Sequence, residues 1–484
     1  MNGKGRAERK VSSDLKGLVS DMKKAENHVH KRDRCEDAGV ELRDNRREPS
    51  IAPASAKEGD GSKVNTVELF ERILHRDNLN LAYKRVKKNG GSQGVDGMQV
   101  DELLPYLREH GEAIRQTLLG GKYQPKPVRR VAIPKPDGGV RLLGIPTALD
   151  RMIQQAIAQV LSPIFEEEFS DHSYGFRPGR SAHQAIQQAR KYISEGYKIV
   201  VDIDLEKFFD RVNHDKLMGL LSERIEDKSV LRLIRSYLEA GVMLGGLVSP
   251  TDEGTPQGGP LSPLLSNVML HELDKELERR GHRFCRYADD GNIYVRSMRA
   301  GQRVMASISK FLEEQLKLKV NRKKSAVDYP QRRKFLGMSF YRSKEGVRVK
   351  VHPKSLNRFK DKVRVITSRS NAMSMTMRIG RLNQAIRGWV GYFSLADMRR
   401  HCQKLDEWIR RRLRMCYWKQ WKKIGTRHDN LVRLGLSNPK AWEYANTRKG
   451  YWHTAGSPIL STTLTNSYFR RMGYNGLLDV YGSL

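Results

Sequence analysis

Short apolar, β-branched runs closed by turn residues and separated by helical sequence limit what this chain can fold into. "VRRVAIPKPDGGVRLLGIP" reads as strand, turn, strand, with apolar runs on either side of Pro-Asp-Gly-Gly. "YKIVVDIDLEKFFDRV" starts as a strand through Ile199, Val200, Val201 and Ile203, then turns helical around Phe208. "HRFCRYADDGNIYVR" reads as a second hairpin with Asp289 and Asp290 in its turn. Strands so short, mixed with helices, predict an α+β fold with a small antiparallel sheet rather than a doubly wound one. After about residue 352 the strand signal stops and the sequence is helical.

Composition along the chain suggests the outer boundaries. Residues 1–62 are charge-dense, nearly free of aromatics, and end in "PSIAPASAKEGDGSK", which reads as a linker. This extension is expected to be poorly ordered, or helical only on RNA. Helical periodicity begins near "TVELFERILHRDNLNLAYKRVKK", with Leu69, Ile73, Leu79 and Tyr83 predicted to form one buried stripe.

The charge balance points to a partner. There are 89 Lys and Arg against 55 Asp and Glu, a formal +34, and a chain so far from neutral expects a polyanion such as nucleic acid. Four cysteines stand far apart without a C-x-x-C pair, which excludes zinc-ribbon spacing and suggests free thiols in a reducing compartment. No apolar run reaches membrane-span length and the first residues lack a signal-peptide core. The expected location is cytoplasmic or nucleoid-associated. From Glu407 to Arg427 one acid faces eight bases: Arg410, Arg411, Arg412, Arg414, Lys419, Lys422, Lys423 and Arg427. Leu405, Ile409, Leu413, Cys416 and Trp421 can form a buried stripe there. The bases interleaved with Trp408, Tyr417, Trp418 and Trp421 read as a nucleic-acid surface with stacking platforms.

Against that background the carboxylates stand out. Asp202 and Asp204 point to one face of their strand by its period of two, although only Asp204 lies at the strand's end; Asp210 follows beyond Phe208. Carboxylates gathered beside an acidic turn repel each other and hold their protons unless cations bind. Magnesium prefers such hard oxygens, and two ions would activate a 3′-hydroxyl and stabilise leaving pyrophosphate. Asp204, Asp289 and Asp290 would suffice. Asp-Asp alone is a weak signal, since Asp and Gly are ordinary turn residues; its neighbours add the specificity. "GTPQGGPLSPLLSNVMLHELD" puts a Gly/Pro-rich lead before an apolar helix, a construction that lets backbone approach a nucleotide. Lys135 and Arg141 flank the "PKPDGGVR" turn and can clamp a triphosphate. In "HSYGFRPGRSAHQAI", Arg177 and Arg180 can grip a template backbone.

Together these stretches resemble the group II intron-encoded reverse transcriptases, or maturases. The similarity runs from about Asn80 to at least Lys423, and its blocks occur in order: "AYKRVKKNGGSQGVDGM", "RRVAIPKPDGGVRLLGIPTALDRMIQQAIAQVL", "HSYGFRPGRSAHQAI", "VDIDLEKFFDRVNHDKL", "GTPQGGPLSPLLSNVMLHELD", "RYADDGNIYV", "LKLKVNRKKS" and "RKFLGMSFYR". The resemblance implies a right-hand polymerase fold, with fingers and palm over 63–350 and an all-helical thumb, or maturase domain X, over 351–430. A basic nucleic-acid-binding tail is expected over 431–484. The implied catalytic and metal residues are Asp204, Asp289 and Asp290, with two Mg2+ and dNTPs; Asp202 becomes a neighbour. Phe209 falls where the ring that excludes a 2′-hydroxyl stands, Gln257 would contact the nucleotide, and Lys135 and Arg141 its phosphates. Lys324 in "NRKKS", with Lys323 as rival, is the implied proton donor to pyrophosphate.

"RGWVGYF" resembles the thumb motif, making Arg387 and Trp389 nucleic-acid contacts beside Arg410, Arg411, Arg414, Lys419, Lys422 and Lys423. Many relatives end in a Cys-rich HNH endonuclease; no cysteine follows Cys416, so no strand cleavage by the protein is expected. The implied function is RNA-directed DNA synthesis from a DNA primer on group II intron RNA, with maturase activity in splicing and retrotransposition into target DNA, in a bacterial setting and without a membrane. The rival readings are a non-catalytic splicing cofactor and a domesticated enzyme of phage defence, CRISPR adaptation or DNA repair.

Overall fold

At the start of the described residues, one expected helix is two. In the computed structural model, which describes residues 67–134, 139–244, 247–249, 253–255 and 258–484, α1 spans Val67–Leu74 and α2 spans Arg76–Asn89. His75 turns extended between them, its Nδ1 accepting the Asp77 amide. Asn78 Nδ2 donates to the Ile73 carbonyl at 2.9 Å, satisfying a group that the interrupted helix leaves open. Leu69 and Ile73 are buried, whereas Leu79 and Tyr83 are only half-buried. The expectations for residues 1–62, Lys135 and Gln257 lie outside the described residues.

Described residues before Gly337 form one compact unit. After α3 (Leu103–Leu119) come β1 (Val128–Pro134) and β2 (Val140–Ile145), then α4 (Ala148–Glu166), which is buried on nearly every side. α4 starts at Thr147, whose hydroxyl oxygen accepts the Asp150 amide. α5 (Ala182–Ser194) opens with a reciprocal Ser181–Gln184 capping box. Then follow β3 (Ile199–Ile203), α6 (His214–Ser222), α7 (Lys228–Glu239), β4 (Val242–Leu244), β5 (Leu247–Ser249) and α8 (Ser262–Arg279). The unit closes with β6 (Arg283–Tyr287), β7 (Asp290–Val295), α9 (Met298–Glu314) and β8 (Ala326–Asp328).

These elements make a mixed α+β fold with small sheets, but not with one antiparallel sheet alone. One four-stranded sheet runs β2-β1-β4-β5, and β1 pairs with β4 in parallel through Val128↔Val242. The other runs β6-β7-β3-β8 and is wholly antiparallel. β3 lies inside it, so Ile199, Val200, Val201 and Ile203 are all buried; a strand paired on both edges and covered on both faces needs a nearly continuous apolar run, which only the half-buried Asp202 interrupts. Val201→Ala should destabilise this unit by roughly 2 kcal/mol, checked by denaturant unfolding.

Gly337 begins the second unit. β9 (Met338–Ser343) and β10 (Gly346–Val351) form a hairpin, followed by α10 (Pro353–Ile366), α11 (Met375–Tyr392), α12 (Arg399–Gln420), α13 (Ile424–Arg433) and α14 (Asn438–Ala445). Four helices of four to six residues complete it. The stripe of Leu405, Ile409, Leu413, Cys416 and Trp421 is buried. Asp406, also buried, accepts the Tyr474 hydroxyl at 2.9 Å and the Leu477 and Leu478 amides at 2.7 and 2.9 Å, tying the last segment to α12. Cys285, Cys402 and Cys416 are buried free thiols. Among the described residues no helix is long and apolar enough to cross a membrane.

Candidate active site

The register of β3 against β7 brings the three candidate carboxylates to one end of the sheet. Asp202 stands opposite Asn292 and Ile203 opposite Gly291, so Asp204 leaves β3 where the β6–β7 turn begins. That turn has two residues, Ala288 and Asp289, between the paired Tyr287 and Asp290. Burial pushes Asp289 upward from its ordinary value, and the nearby Asp204 adds to this while Arg141 opposes it. Burial together with Asp289, Asp202 and Asp204 pushes Asp290 up to about 7. Both shifts have the cause expected of carboxylates held together without a cation.

Asp204 is the most elaborately held. Its amide donates to Ser325 Oγ at 3.0 Å, and its carbonyl accepts the Asn321 amide at 2.8 Å. Its carboxylate accepts Asn321 Nδ2 at 2.9 Å and lies 3.7 Å from Lys324 Nζ. The "NRKKS" loop thus wraps the residue, with Lys324 on the carboxylate and Lys323 exposed. Asp202 is occupied differently: Arg333 Nε and Nη2 both donate to its Oδ2, at 2.9 and 2.6 Å. As hard oxygens gathered at one end of the sheet, Asp204, Asp289 and Asp290 fit a divalent cation in kind. Their side chains share one electrostatic neighbourhood without converging into a finished coordination sphere, and no group of three His, Cys, Asp or Glu among the described residues does.

The turn that aims Asp289 and Asp290 is braced by residues that sequence reasoning missed. Ala288 has φ +55°, a left-handed conformation that costs a side-chain-bearing residue about 1 kcal/mol or more. Arg286 Nη1 donates to the Ala288 carbonyl and to Asn267 Oδ1, each at 3.0 Å. Its Nε and Nη2 form a two-pronged pair with Asp274 of α8 at 2.7 and 2.5 Å. Gly175 lies against this turn, where a Cβ would overlap the Ala288 amide. The available signal was a lone Arg in the apolar run "FCRY" and a lone Asp in the apolar face of α8.

Beside the carboxylates, Phe208 is 2 % exposed and anchors a short 3-10 turn, Phe208–Asp210. Phe209 is half-buried, edge-on to Phe208 with centroids 5.2 Å apart. Arg141 is exposed on β2.

The candidate nucleic-acid residues separate into two groups. Arg387, Lys419, Lys422 and Lys423 are exposed. Arg177 is corrected: its guanidinium lies inside the fold, donating to Glu166 and to the Ser170, Ser173 and Phe169 carbonyls, so it organises this loop instead of facing a template. Arg180 is half-buried and paired with Asp171 at 2.6 Å. Trp389 is half-buried, stacking on Phe359 at 4.6 Å and against Phe393 at 5.1 Å. Tyr417, Trp418 and Trp421 are buried rather than stacking platforms, because bulky rings gain most by filling the core. Arg411 lies over the Trp452 ring at 4.2 Å and donates to its carbonyl; Arg414 donates to Leu464; Arg410 is half-buried.

Carboxylates clustered at a sheet end beside an exposed arginine form a site suited to a divalent cation and a phosphate-bearing substrate. Residues 133–340 match the family described as reverse transcriptase (RNA-dependent DNA polymerase), and residues 356–435 match the group II intron maturase-specific domain. Protein YkfC of Escherichia coli is 34% identical over 280 residues, covering 50% of this chain and 74% of that protein. The group II intron-encoded protein LtrA of Lactococcus lactis is 39% identical over 219 residues, covering 44% of this chain and 36% of LtrA. Among solved structures, a chain of a partial Cas6-RT-Cas1–Cas2 complex matches with TM-score 0.34 and 25% identity, over 55% of this chain and 46% of that one. The chain belongs to the reverse transcriptases that carry a group II intron maturase domain.

Proposed function

We propose that the protein extends a DNA primer on group II intron RNA and, as a maturase, binds that RNA to aid splicing and retrotransposition into target DNA. In this reading residues 63–350 act as fingers and palm, 351–430 as thumb, and 431–484 as a nucleic-acid-binding tail, and the protein works in a bacterial cytoplasm. The observation that carries it is the β3–β7 register that brings Asp204 to the Asp289–Asp290 turn, where burial and neighbouring carboxylates raise both Asp289 and Asp290. Asp204, Asp289 and Asp290 would hold two magnesium ions, which activate the primer 3′-hydroxyl and neutralise charge on the leaving pyrophosphate.

The chain's own residues do the positioning. Arg141, with Lys135 and Gln257, binds the incoming dNTP; Phe209 fills the space a 2′-hydroxyl would take; Lys324 holds a proton within reach of the site. Primer extension with dNTPs on an RNA template tests the reading. Template-dependent cDNA is expected, and splicing assistance without any cDNA would replace this reading with a non-catalytic cofactor.

RNA binding is expected to fall steeply with salt, because exposed lysines displace condensed counterions. Replacing Lys419, Lys422 and Lys423 together by Glu should lower intron-RNA affinity about 10²-fold or more, and reduce the salt slope by roughly 2–3. Filter binding across a salt series checks both.

A further inference from the structure

We propose that Arg130 and Asp210 form a positioning pair that holds the Phe208–Asp210 turn and so sets how strictly deoxyribose is preferred to ribose. The inference rests on the reading of Phe209 given above. Arg130 Nη2 donates to Asp210 Oδ1 at 3.0 Å, with side-chain exposures of 30% and 29%. The turn between these residues is fixed from several directions. Lys207 begins it at φ +51°, and the Asp210 amide donates back to the Lys207 carbonyl at 2.8 Å. The Phe209 carbonyl accepts the Thr255 amide at 2.6 Å. Gly254 fits beneath because a Cβ there would come within 3.0 Å of the Phe209 carbonyl oxygen. Its own carbonyl is held 2.7 Å from His214 Nε2.

Backbone contacts therefore set the height of the Phe209 ring, while the Asp210 side chain ties the turn sideways to β1. That strand has a second connection to the site. Ile133 of β1 pairs with Arg141 of β2, so the hairpin that presents Arg141 also grips the turn that presents Phe209. A nucleotide held by its phosphates on one side would be read at its sugar by a ring registered to the same hairpin. Steric exclusion of one oxygen depends on sub-ångström placement, so loss of a tether shows in selectivity well before it shows in folding. An ion pair with nearly a third of each side chain open to solvent is screened and contributes modestly to stability.

The test measures kcat/KM for insertion of a dNTP and its rNTP, with thermal unfolding alongside, using the full chain. Phe209→Ala examines the reading of the ring itself. Asp210→Asn and Arg130→Met examine the pair, and Asp210→Glu restores the charge. Phe209→Ala is expected to lower dNTP preference by about 10²-fold or more, and Asp210→Asn and Arg130→Met by about 10-fold. Asp210→Glu should recover most of the preference, with Tm close to wild type in all three pair variants. If Phe209→Ala loses selectivity while Asp210→Asn and Arg130→Met keep it, the pair has no positioning role and the ring assignment survives. If Phe209→Ala keeps wild-type selectivity, the ring assignment fails and the pair's role fails with it. A loss in Asp210→Asn that tracks a lowered Tm and is absent from Arg130→Met would equally overturn the inference.

Discussion

Asp289→Asn is expected to lower primer extension by about 10³-fold or more while making the cation-free protein more stable. The two effects have one origin. Asn keeps the shape of Asp but brings no charge, so a hard divalent cation loses an anionic ligand where charge must be neutralised during nucleotidyl transfer. A loss of that size corresponds to roughly 4 kcal/mol of barrier. The stability gain follows from the raised carboxyls. Burial and mutual repulsion hold Asp289 above its ordinary value and Asp290 up to about 7. A group whose folded pKa lies above its unfolded value favours the folded state at low pH, and that advantage is lost as pH rises towards the folded pKa.

Between pH 5 and 8 the cation-free wild type should therefore lose Tm, and Asp289→Asn and Asp290→Asn should each flatten the slope. Added Mg2+ should raise the wild-type Tm more at pH 8 than at pH 6, because the ion competes with protons for the same oxygens. Calorimetry with and without EDTA checks the stability arm, and single-turnover extension checks the chemical one. An Asp289→Asn protein that still makes cDNA at wild-type rate would remove this residue from the site.

The parts of this site legible in the sequence were those governed by local rules. Strand period two put Asp202 and Asp204 on one face, and the apolar runs around "ADD" declared a hairpin before its partners were known. The family resemblance made Asp202 a neighbour of the site, but the residues themselves did not separate it from Asp204 beyond showing which one ends the strand. That separation comes from Arg333, more than a hundred residues away, which occupies Asp202. The parallel β1–β4 pairing was equally hidden, since β4 has three residues and no periodicity to read. Arg177 shows why charge is a poor guide to surface. Its Gly/Pro-rich surroundings suggested an exposed grip, but Glu166 and three carbonyls supply an interior partner for nearly every donor. The interleaved aromatics of α12 failed for a related reason. A helix has limited room on its buried face, and Tyr417 and Trp418 take it while lysines remain outside.

Arg286→Met should destabilise the first unit by roughly 3–5 kcal/mol, since it strands Asp274 as a buried charge with no counter-ion. Tm is then expected to fall by about 10 °C. Activity should fall further than this instability explains, because Arg286 also holds the Ala288 carbonyl and with it the left-handed turn that presents Asp289 and Asp290. A second substitution separates the two roles. Arg286→Met with Asp274→Leu removes both charges and replaces a buried ion pair by apolar volume, an exchange that is often neutral or stabilising. The double variant should recover most of the lost Tm.

It should not recover primer extension, for which a deficit of about 10²-fold is expected to remain because no donor reaches the Ala288 carbonyl. Asp274→Asn serves as the intermediate case, since it removes the paired charge while leaving Arg286 to hold the turn. Its extension rate, measured at a temperature where it is folded, should lie well above that of the double variant. If instead the double variant regains wild-type extension together with its Tm, the ion pair serves stability alone. The aim of the two aspartates would then be set by the Ala288–Asp289 backbone and the close approach of Gly175.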